Sequence, residues 1–343
     1  MPKHPLAEVF GFPADNFSSD AEKYHHIEIV QARSHMQQMT FFDDIQQTKF
    51  VNVASVPQRS PFRYPGGKTW IVPRLRRWLS PQIMQQFGLI PVRPTHLIEP
   101  FAGGSIVSLT VAAEELTDHV TMVEIDEDVS AVWKTILDGE NWMWIAREIE
   151  AFDVTHENVK DLFARTDLTL KEQAFRTILR NRVNRGGILA PGAGLVKKGE
   201  NGKGIRSRWY PATLKKRIQN IVKIRDHITF IHGDGMNVLK EHTNRADTVF
   251  FIDPPYTAGG KKAGSRLYTH SELNHEELFE IASKLRGDFL MTYDNVDTVR
   301  VLAQRHGFDM QIVPMKNTHH TKMTELLIGP NLEWLRQPLE YCP

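Results

Sequence analysis

The sequence predicts an α/β fold, a parallel sheet interrupted by a helical insertion, on three observations. Short apolar runs of strand length alternate with segments of helical periodicity in the first and last thirds of the chain. Between about 140 and 227 the strand signal stops and helical segments take over. Every unusual cluster of polar residues falls at the end of a strand, where open parallel sheets bind their ligands. The 343 residues suffice for one large domain with an insertion, or for two domains.

Residues 1–57 have weak periodicity and several Gln and Asn, and no role is read from them. "SPFRYPGGKTWIVPRLRRWL" then gives a Gly-Gly turn and a helix, with Ile71, Leu75, Trp78 and Leu79 at helical spacing. "THLIEPFAGGSIVSLTVAAEEL" reads as a strand ending near Glu99, a turn at Gly103 and Gly104, and a helix capped by Ser105, with Glu114 and Glu115 on its surface. "HVTMVEIDEDVSAVWKTIL" repeats the unit as a strand to Asp126 and a helix. Within the insertion, "NRGGILAPGAGLVKKGENGKG" is too rich in Gly and Lys to pack, whereas "NWMWIA" reads as core or as a plug between elements. Strands resume with "ITFIHGDGMNVL", "TVFFIDPPY", "DFLMTYDNVDTVRVLAQRHGF", "DMQIVPM" and "TELLIGP". The expected organisation is an extension at 1–57, a catalytic α/β domain at 58–139 and 228–343, and the insertion at 140–227.

Composition excludes several classes. Apolar residues are 41% and charged residues 24%, as in soluble globular proteins, and no run approaches a membrane span. The first residues lack a basic segment followed by an apolar stretch, so no secretory leader is expected and the cytoplasm is. The single cysteine, Cys342, rules out an internal disulfide and a cysteine-rich zinc site. His319 and His320 lack clustered acids and read as loop, so no metal is expected. Net charge is only +1, but Arg176 to Arg217 holds 12 Lys or Arg against the single acid Glu200, whereas residues 1–57 hold 4 basic and 7 acidic residues. With Trp209 and Tyr210 interleaved, that block reads as a surface for a phosphate backbone, through Arg182, Arg185, Lys197, Lys198, Lys203, Arg206 and Arg208.

The clusters at strand ends carry the chemistry. A glycine turn at 103–104 lets a ligand approach backbone, and an acid closing the next strand can accept hydrogen bonds from ribose hydroxyls, which together suggest a nucleoside-bearing cofactor. The dinucleotide pattern GxGxxG is missing, which disfavours NAD. Asp253, Pro254, Pro255 and Tyr256 are more specific. Two consecutive prolines fix the backbone and remove two N–H donors, leaving the carbonyls of Asp253 and Pro254 as acceptors. A nucleobase amino group is a poor nucleophile until both its protons are held by acceptors, a task that the Asp253 carboxylate and the Pro254 carbonyl suit. Tyr256 would lie against a base turned out of its stack.

In these motifs the sequence resembles the Dam-like DNA adenine N6-methyltransferases, which use S-adenosylmethionine: "FRYPGGK" at 62–68, "EPFAGG" at 99–104, "VEID" at 123–126, "DPPY" at 253–256 and "TELLIG" at 324–329, in the family's order over about residues 60–330. The resemblance implies a Rossmann-like methyltransferase sheet with a target-recognition insertion and duplex DNA as substrate. It also implies that Tyr64, Gly66 and Lys68 hold the methionine end of the cofactor, that Glu99, Phe101, Gly103 and Gly104 line its pocket, that Glu124 with Asp126 takes the ribose, and that Asp234 reaches its adenine. The glycine motif departs from the family's alternating FxGxG, reading FAGGS, so Gly103 carries over more firmly than Ser105. DPPY reports an amino group and not its base, so RNA adenine and DNA cytosine-N4 are alternative targets. From another class, the alternative is a DNA-binding regulator with a vestigial site, against which stand the intact Asp253, Tyr256 and Gly103. The sequence sets no oligomeric state, and a monomer is compatible with it.

Overall fold

The computed structural model describes residues 55–63, 67–86, 94–190, 192–255, 273–316 and 322–336. Tyr64, Gly66, Tyr256, His319, His320 and nearly all of the N-terminal extension lie outside the described residues. Strands β1 (His96–Glu99), β2 (His119–Glu124), β3 (Ile228–His232), β4 (Thr248–Ile252), β5 (Phe289–Asp294), β6 (Asp309–Lys316) and β7 (Lys322–Gly329) form one sheet in the order β3-β2-β1-β4-β5-β7-β6. The first five are parallel, and β7 lies antiparallel between β5 and β6. The expectation of a parallel sheet is therefore corrected at its last pair. The few residues between Lys316 and Lys322 can close only an antiparallel hairpin, because a parallel return needs a crossover of a dozen residues or more.

Strands β2 and β3 spread to one side of β1, and β4 starts on the other, so the strand order reverses between β1 and β4. A crevice opens at the carboxyl ends of strands at such a point. Glu99 ends β1 and Asp253 follows β4, so the topology alone brings them together. Every residue of β4, "TVFFI", is buried, as a central parallel strand covered on both faces requires.

A 3₁₀ turn at Lys68–Ile71 leads into α1 (Val72–Trp78), which places Pro73 in its first turn, where a missing N–H costs nothing, and α2 (Pro81–Gln86) follows. Ile71, Leu75, Trp78 and Leu79 are buried as their spacing predicts, and the Trp78 indole donates to Asp288 at 2.7 Å. Between β1 and β2 lies α3 (Ile106–Ala113), and after β2 lies α4 (Glu127–Leu137). Glu114 is not simply solvated at the end of α3. Its carboxylate takes Arg76 at 2.7 Å and Arg59 at 3.0 Å, which tie α1 and the segment before it to the end of α3 and hold the Glu114 carboxyl below its usual range.

Between β2 and β3 the residues beyond α4 form α5 (Asn141–Ala151), α6 (His156–Ala164), α7 (Leu170–Val183) and α8 (Pro211–Val222), with no named strand among the described residues. Helix α7 starts on a reciprocal capping pair, Thr169 and Glu172, and packs along α4, while α8 packs on α5. Trp144, Phe152 and Trp209 meet Phe175 edge-on at 6.4, 5.2 and 6.3 Å, which agrees with the plug reading of "NWMWIA". The Gly- and Lys-rich segment packs more than its composition suggested. Ala190, Val196 and Ile205 are buried, and Val196 N–H donates to the Val183 carbonyl at 2.8 Å. Glycines at positive φ, Gly186, Gly187, Gly199 and Gly204 among them, fold it back on the end of α7. After β3 come α9 (Gly235–Glu241), α10 (His275–Ala282), α11 (Asp297–Arg305) and α12 (Glu333–Arg336). No helix among the described residues is long and apolar enough to cross a membrane.

Candidate active site

The turn after β1 is built around two acids, the buried Glu99 and the half-buried Glu124. Glu99, 3% exposed, accepts on Oε2 from the Ser105 hydroxyl at 2.8 Å and from the Ser108 N–H at 3.1 Å, and also from the Ser108 hydroxyl. Burial pushes its carboxyl up to about 7, assisted by the charge of Asp253 and opposed by these bonds. Ser105 thus holds the N-cap position of α3 without capping it: at φ 51° its side chain turns back to Glu99, the stronger partner. Gly103, at φ 46°, donates its N–H to Glu124 Oε2 at 2.8 Å, and its carbonyl accepts from the Trp133 indole at 2.9 Å. That left-handed backbone is what glycine supplies here. Glu124 also accepts the Asp126 N–H on Oε1 at 2.9 Å, and burial raises its carboxyl to about 7. The glycine turn and the acid at the end of β2 are therefore one unit. Phe101 and Gly104 lie half-buried in the same turn.

Strand β2 ends at Glu124, short of the predicted Asp126, which instead caps α4 by accepting from the Val129 N–H at 3.0 Å. Asp234 caps α9, accepting from the Met236 N–H at 2.9 Å, and is exposed beside the β3 end. The next residue, Gly235, lies so close to the glycine motif that a Cβ there would run into the Pro100 carbonyl. An open cleft of about 780 Å³ borders these strand ends, with Ile125, Asp126 and His232 on the sheet side and Arg176, Arg180 and Leu189 on the insertion side. Asp128, which the sequence did not single out, spans it by accepting from Gln173 at 2.9 Å and pairing with Arg180 at 3.1 Å.

Across the switch point, Asp253 receives two cationic or hydroxylic donors on the same oxygen. Lys68 Nζ is 3.0 Å from Oδ1, and the Thr292 hydroxyl donates to Oδ1 at 2.6 Å. Lys68, itself buried, also reaches Glu325 Oε2 at 3.6 Å. The structure thereby joins "GGK", "DPPY" and "TELLIG", far apart in the chain, at the Lys68 ammonium. Pro254 is buried and Pro255 half-buried. Thr292 carries no sequence signal of its own, since a threonine inside a strand is ordinary.

Of the basic block, Arg185, Lys197, Lys198, Lys203 and Arg206 are exposed and Arg208 is half-buried. Arg206 pairs with Asp153 at 2.6 Å. Arg182 is not on that surface. It is 6% exposed, its guanidinium donates to the Pro61 carbonyl, and burial lowers its pKa to about 9. Beside it Asn181 accepts the Arg63 N–H at 2.7 Å and donates to the Arg63 and Gly187 carbonyls at 3.1 and 2.7 Å. The insertion therefore grips the segment that leads to Lys68.

Among curated proteins none matches this chain. Among solved structures, a Pyrococcus horikoshii protein described as a candidate RNA methyltransferase is 11% identical over 87% of this chain and 97% of its own, with a TM-score of 0.36, a likeness too distant to carry an argument. The family described as D12 class N6 adenine-specific DNA methyltransferase matches residues 64–318, a span that holds Lys68, the Gly103 turn, Glu124, the insertion and Asp253. The chain belongs to the D12 class N6 adenine-specific DNA methyltransferases, enzymes that methylate adenine in DNA.

Proposed function

We propose that the chain transfers a methyl group from S-adenosylmethionine to adenine N6 in duplex DNA, with the base turned out into the crevice between β1 and β4. The observation that carries this reading is the Asp253 carboxylate at the switch point, fixed by Lys68 and Thr292 beside the turn that Glu99 and Glu124 organise. The residues present fit the cofactor. Ile125, an apolar side chain 44% exposed, borders the cleft next to Glu124, so an apolar face for a purine adjoins an acceptor for ribose hydroxyls. Gly103 and Gly104 keep side chains out of the approach, Phe101 lines it, and Asp126 and Asp234 stand at the neighbouring strand ends. Lys68 offers a cation for the methionine carboxylate, with Tyr64 and Gly66 beside it in sequence.

When bound, S-adenosylmethionine supplies an electrophilic methyl group on a sulfonium. The chain's own part is to position the adenine amino group and hold its protons on the Asp253 carboxylate and the Pro254 carbonyl, so that the nitrogen lone pair is released from the ring. The carboxylate then stabilises the positive charge that grows on nitrogen. Tyr256 stacks on the extruded base. The exposed members of the basic block, Arg185, Lys197, Lys198, Lys203 and Arg206, with Arg208, hold the backbone of the duplex. We further propose that the enzyme acts as a monomer in the cytoplasm.

The test is Asp253→Ala in single-turnover methylation of duplex DNA at saturating S-adenosylmethionine, with cofactor and DNA binding measured alongside. Methyl transfer should fall by about 10²-fold or more with both affinities largely kept, and Asp253→Asn should lie between alanine and wild type. A wild-type rate in Asp253→Ala would overturn the reading. The same assay on RNA, and on duplexes with cytosine as the available amino base, separates the other targets.

A further inference from the structure

The sheet register explains why Asp253 meets a threonine. Ile252, the last residue of β4, is level with Met291 on β5, so the next residues, Asp253 just past the end of β4 and Thr292 within β5, stand side by side. Thr292 lies between Met291 and Tyr293, and all three are completely buried. A buried strand position among such neighbours is ordinarily filled by Val or Ile, and a hydroxyl there is costly unless it finds a partner. The partner is the Asp253 carboxylate, at 2.6 Å. Lys68 approaches the same oxygen, Oδ1, and Lys68 is in turn drawn towards Glu325, which β7 places one strand further across the sheet.

We propose that Thr292 is a positioning residue for methyl transfer, whose hydroxyl stops rotation of the Asp253 carboxylate about Cβ–Cγ so that the substrate amino group meets it in one orientation. The proposal rests on Asp253 being the acceptor proposed above. Lys68 alone cannot set that rotation. An ammonium on a flexible stem is a point charge that follows the carboxylate, and this one is shared with Glu325. Thr292 differs, because its β-branched side chain has a restricted χ1 and its backbone is locked into the sheet between β4 and β7. Its hydroxyl is therefore a fixed donor, and a fixed donor prepares the carboxylate before substrate arrives. Thr292 touches neither substrate nor cofactor in this role and acts only through Asp253.

The experiment compares Thr292→Val, Thr292→Ala and Thr292→Ser with wild type and Asp253→Ala in single-turnover methylation of duplex DNA, together with S-adenosylmethionine and DNA affinities and the unfolding midpoint. Valine keeps the shape and strand preference and removes only the donor. Its rate should fall about 10- to 10²-fold while both affinities stay within about twofold, and serine should restore most of the rate. If valine overpacks the site and fails to fold, alanine, which removes the donor without adding bulk, decides in its place. A wild-type rate in the donor-less variants, while Asp253→Ala is inactive, would overturn the role of Thr292 and leave that of Asp253 standing. A serine variant as slow as valine, or losses of affinity matching the loss of rate, would make Thr292 a packing residue and overturn the proposal equally. If Asp253→Ala itself methylates at the wild-type rate, the earlier reading of Asp253 fails, and with it the premise.

Discussion

Glu124 shows how a residue can be occupied and still keep acceptor capacity open. The N–H groups of Gly103, Asp126 and Ile125 hold its carboxylate against the glycine turn, and of its roughly four lone pairs one remains for a hydroxyl. Glu124→Ala should weaken S-adenosylmethionine binding by roughly 1–3 kcal/mol, with DNA affinity little changed, as isothermal calorimetry would read. Burial holds the Glu124 carboxyl up to about 7, so the charged acceptor is lost as pH falls through neutrality. Cofactor affinity of the wild type should therefore weaken from pH 8 to pH 6 more than that of the variant. Unaltered affinity in a folded Glu124→Ala would pass the role to Asp126. Gly103 and Asp253 were legible in the sequence because glycine and paired prolines leave a covalent mark on the backbone. Thr292 was not, because only the register of two strands gives it a meaning.

At the level of elements, the two ends of the sheet have opposite characters. The carboxyl ends carry the acids of the site, whereas the amino ends of β1 and β2 carry His96 and His119, with rings 5.6 Å apart. His96 accepts or donates at Thr121 Oγ1 at 2.8 Å and faces His242 at 6.5 Å. Burial lowers its pKa to about 4, helped by the charges of His119, Arg245 and His242 and opposed by Asp247. Between about 4 and the unfolded value of 6.5 the unfolded chain takes up a proton that the folded chain refuses, so stability falls as pH drops through that window. One proton over that range has a ceiling of about 3 kcal/mol, which solvent screening of a half-buried ring reduces to about 1–2 kcal/mol. Urea unfolding at pH 7.5 and 5.0, which spans a little over half of that window, should show the wild type losing about 1 kcal/mol more than His96→Gln. Glu99, Glu124 and Asp288, all raised to about 7, act with the opposite sign and cancel in the comparison. Equal losses in the two proteins would disprove the assignment. The strands themselves were readable as apolar runs, but their directions were not, since periodicity carries no sign. The β6–β7 hairpin is therefore visible in the sequence merely as two more strands.

Over the whole molecule, net charge is +1, so attraction to DNA depends on where the charges sit. The helical stretch between β2 and β3 was legible because strands stop and restart. Its attachment was not: Asn181 and Arg182 reach back to Arg63 and Pro61, across more than a hundred residues, and no local pattern encodes such pairings. This separates the arginines that a charge count merges. Arg182 braces the approach to Lys68 from inside, while Lys197, Lys198 and Lys203 stand exposed on the turn-rich segment, and none of the three makes an ion pair among the described residues. Replacing those lysines with alanine should therefore leave the fold and S-adenosylmethionine binding intact and act on the duplex alone. Each phosphate deprived of its lysine lowers the slope of log affinity against log salt by about 0.9, so the triple variant should lower it by about three. Affinity should fall at low salt and converge on the wild type as salt rises, which fluorescence anisotropy with a labelled duplex across a salt series would follow. Because the phosphate backbone carries no sequence information, the weakening should be the same for methylatable and unrelated duplexes. An unchanged slope would place the DNA surface elsewhere on the chain, and a weakening confined to one sequence would turn these lysines into readers of bases.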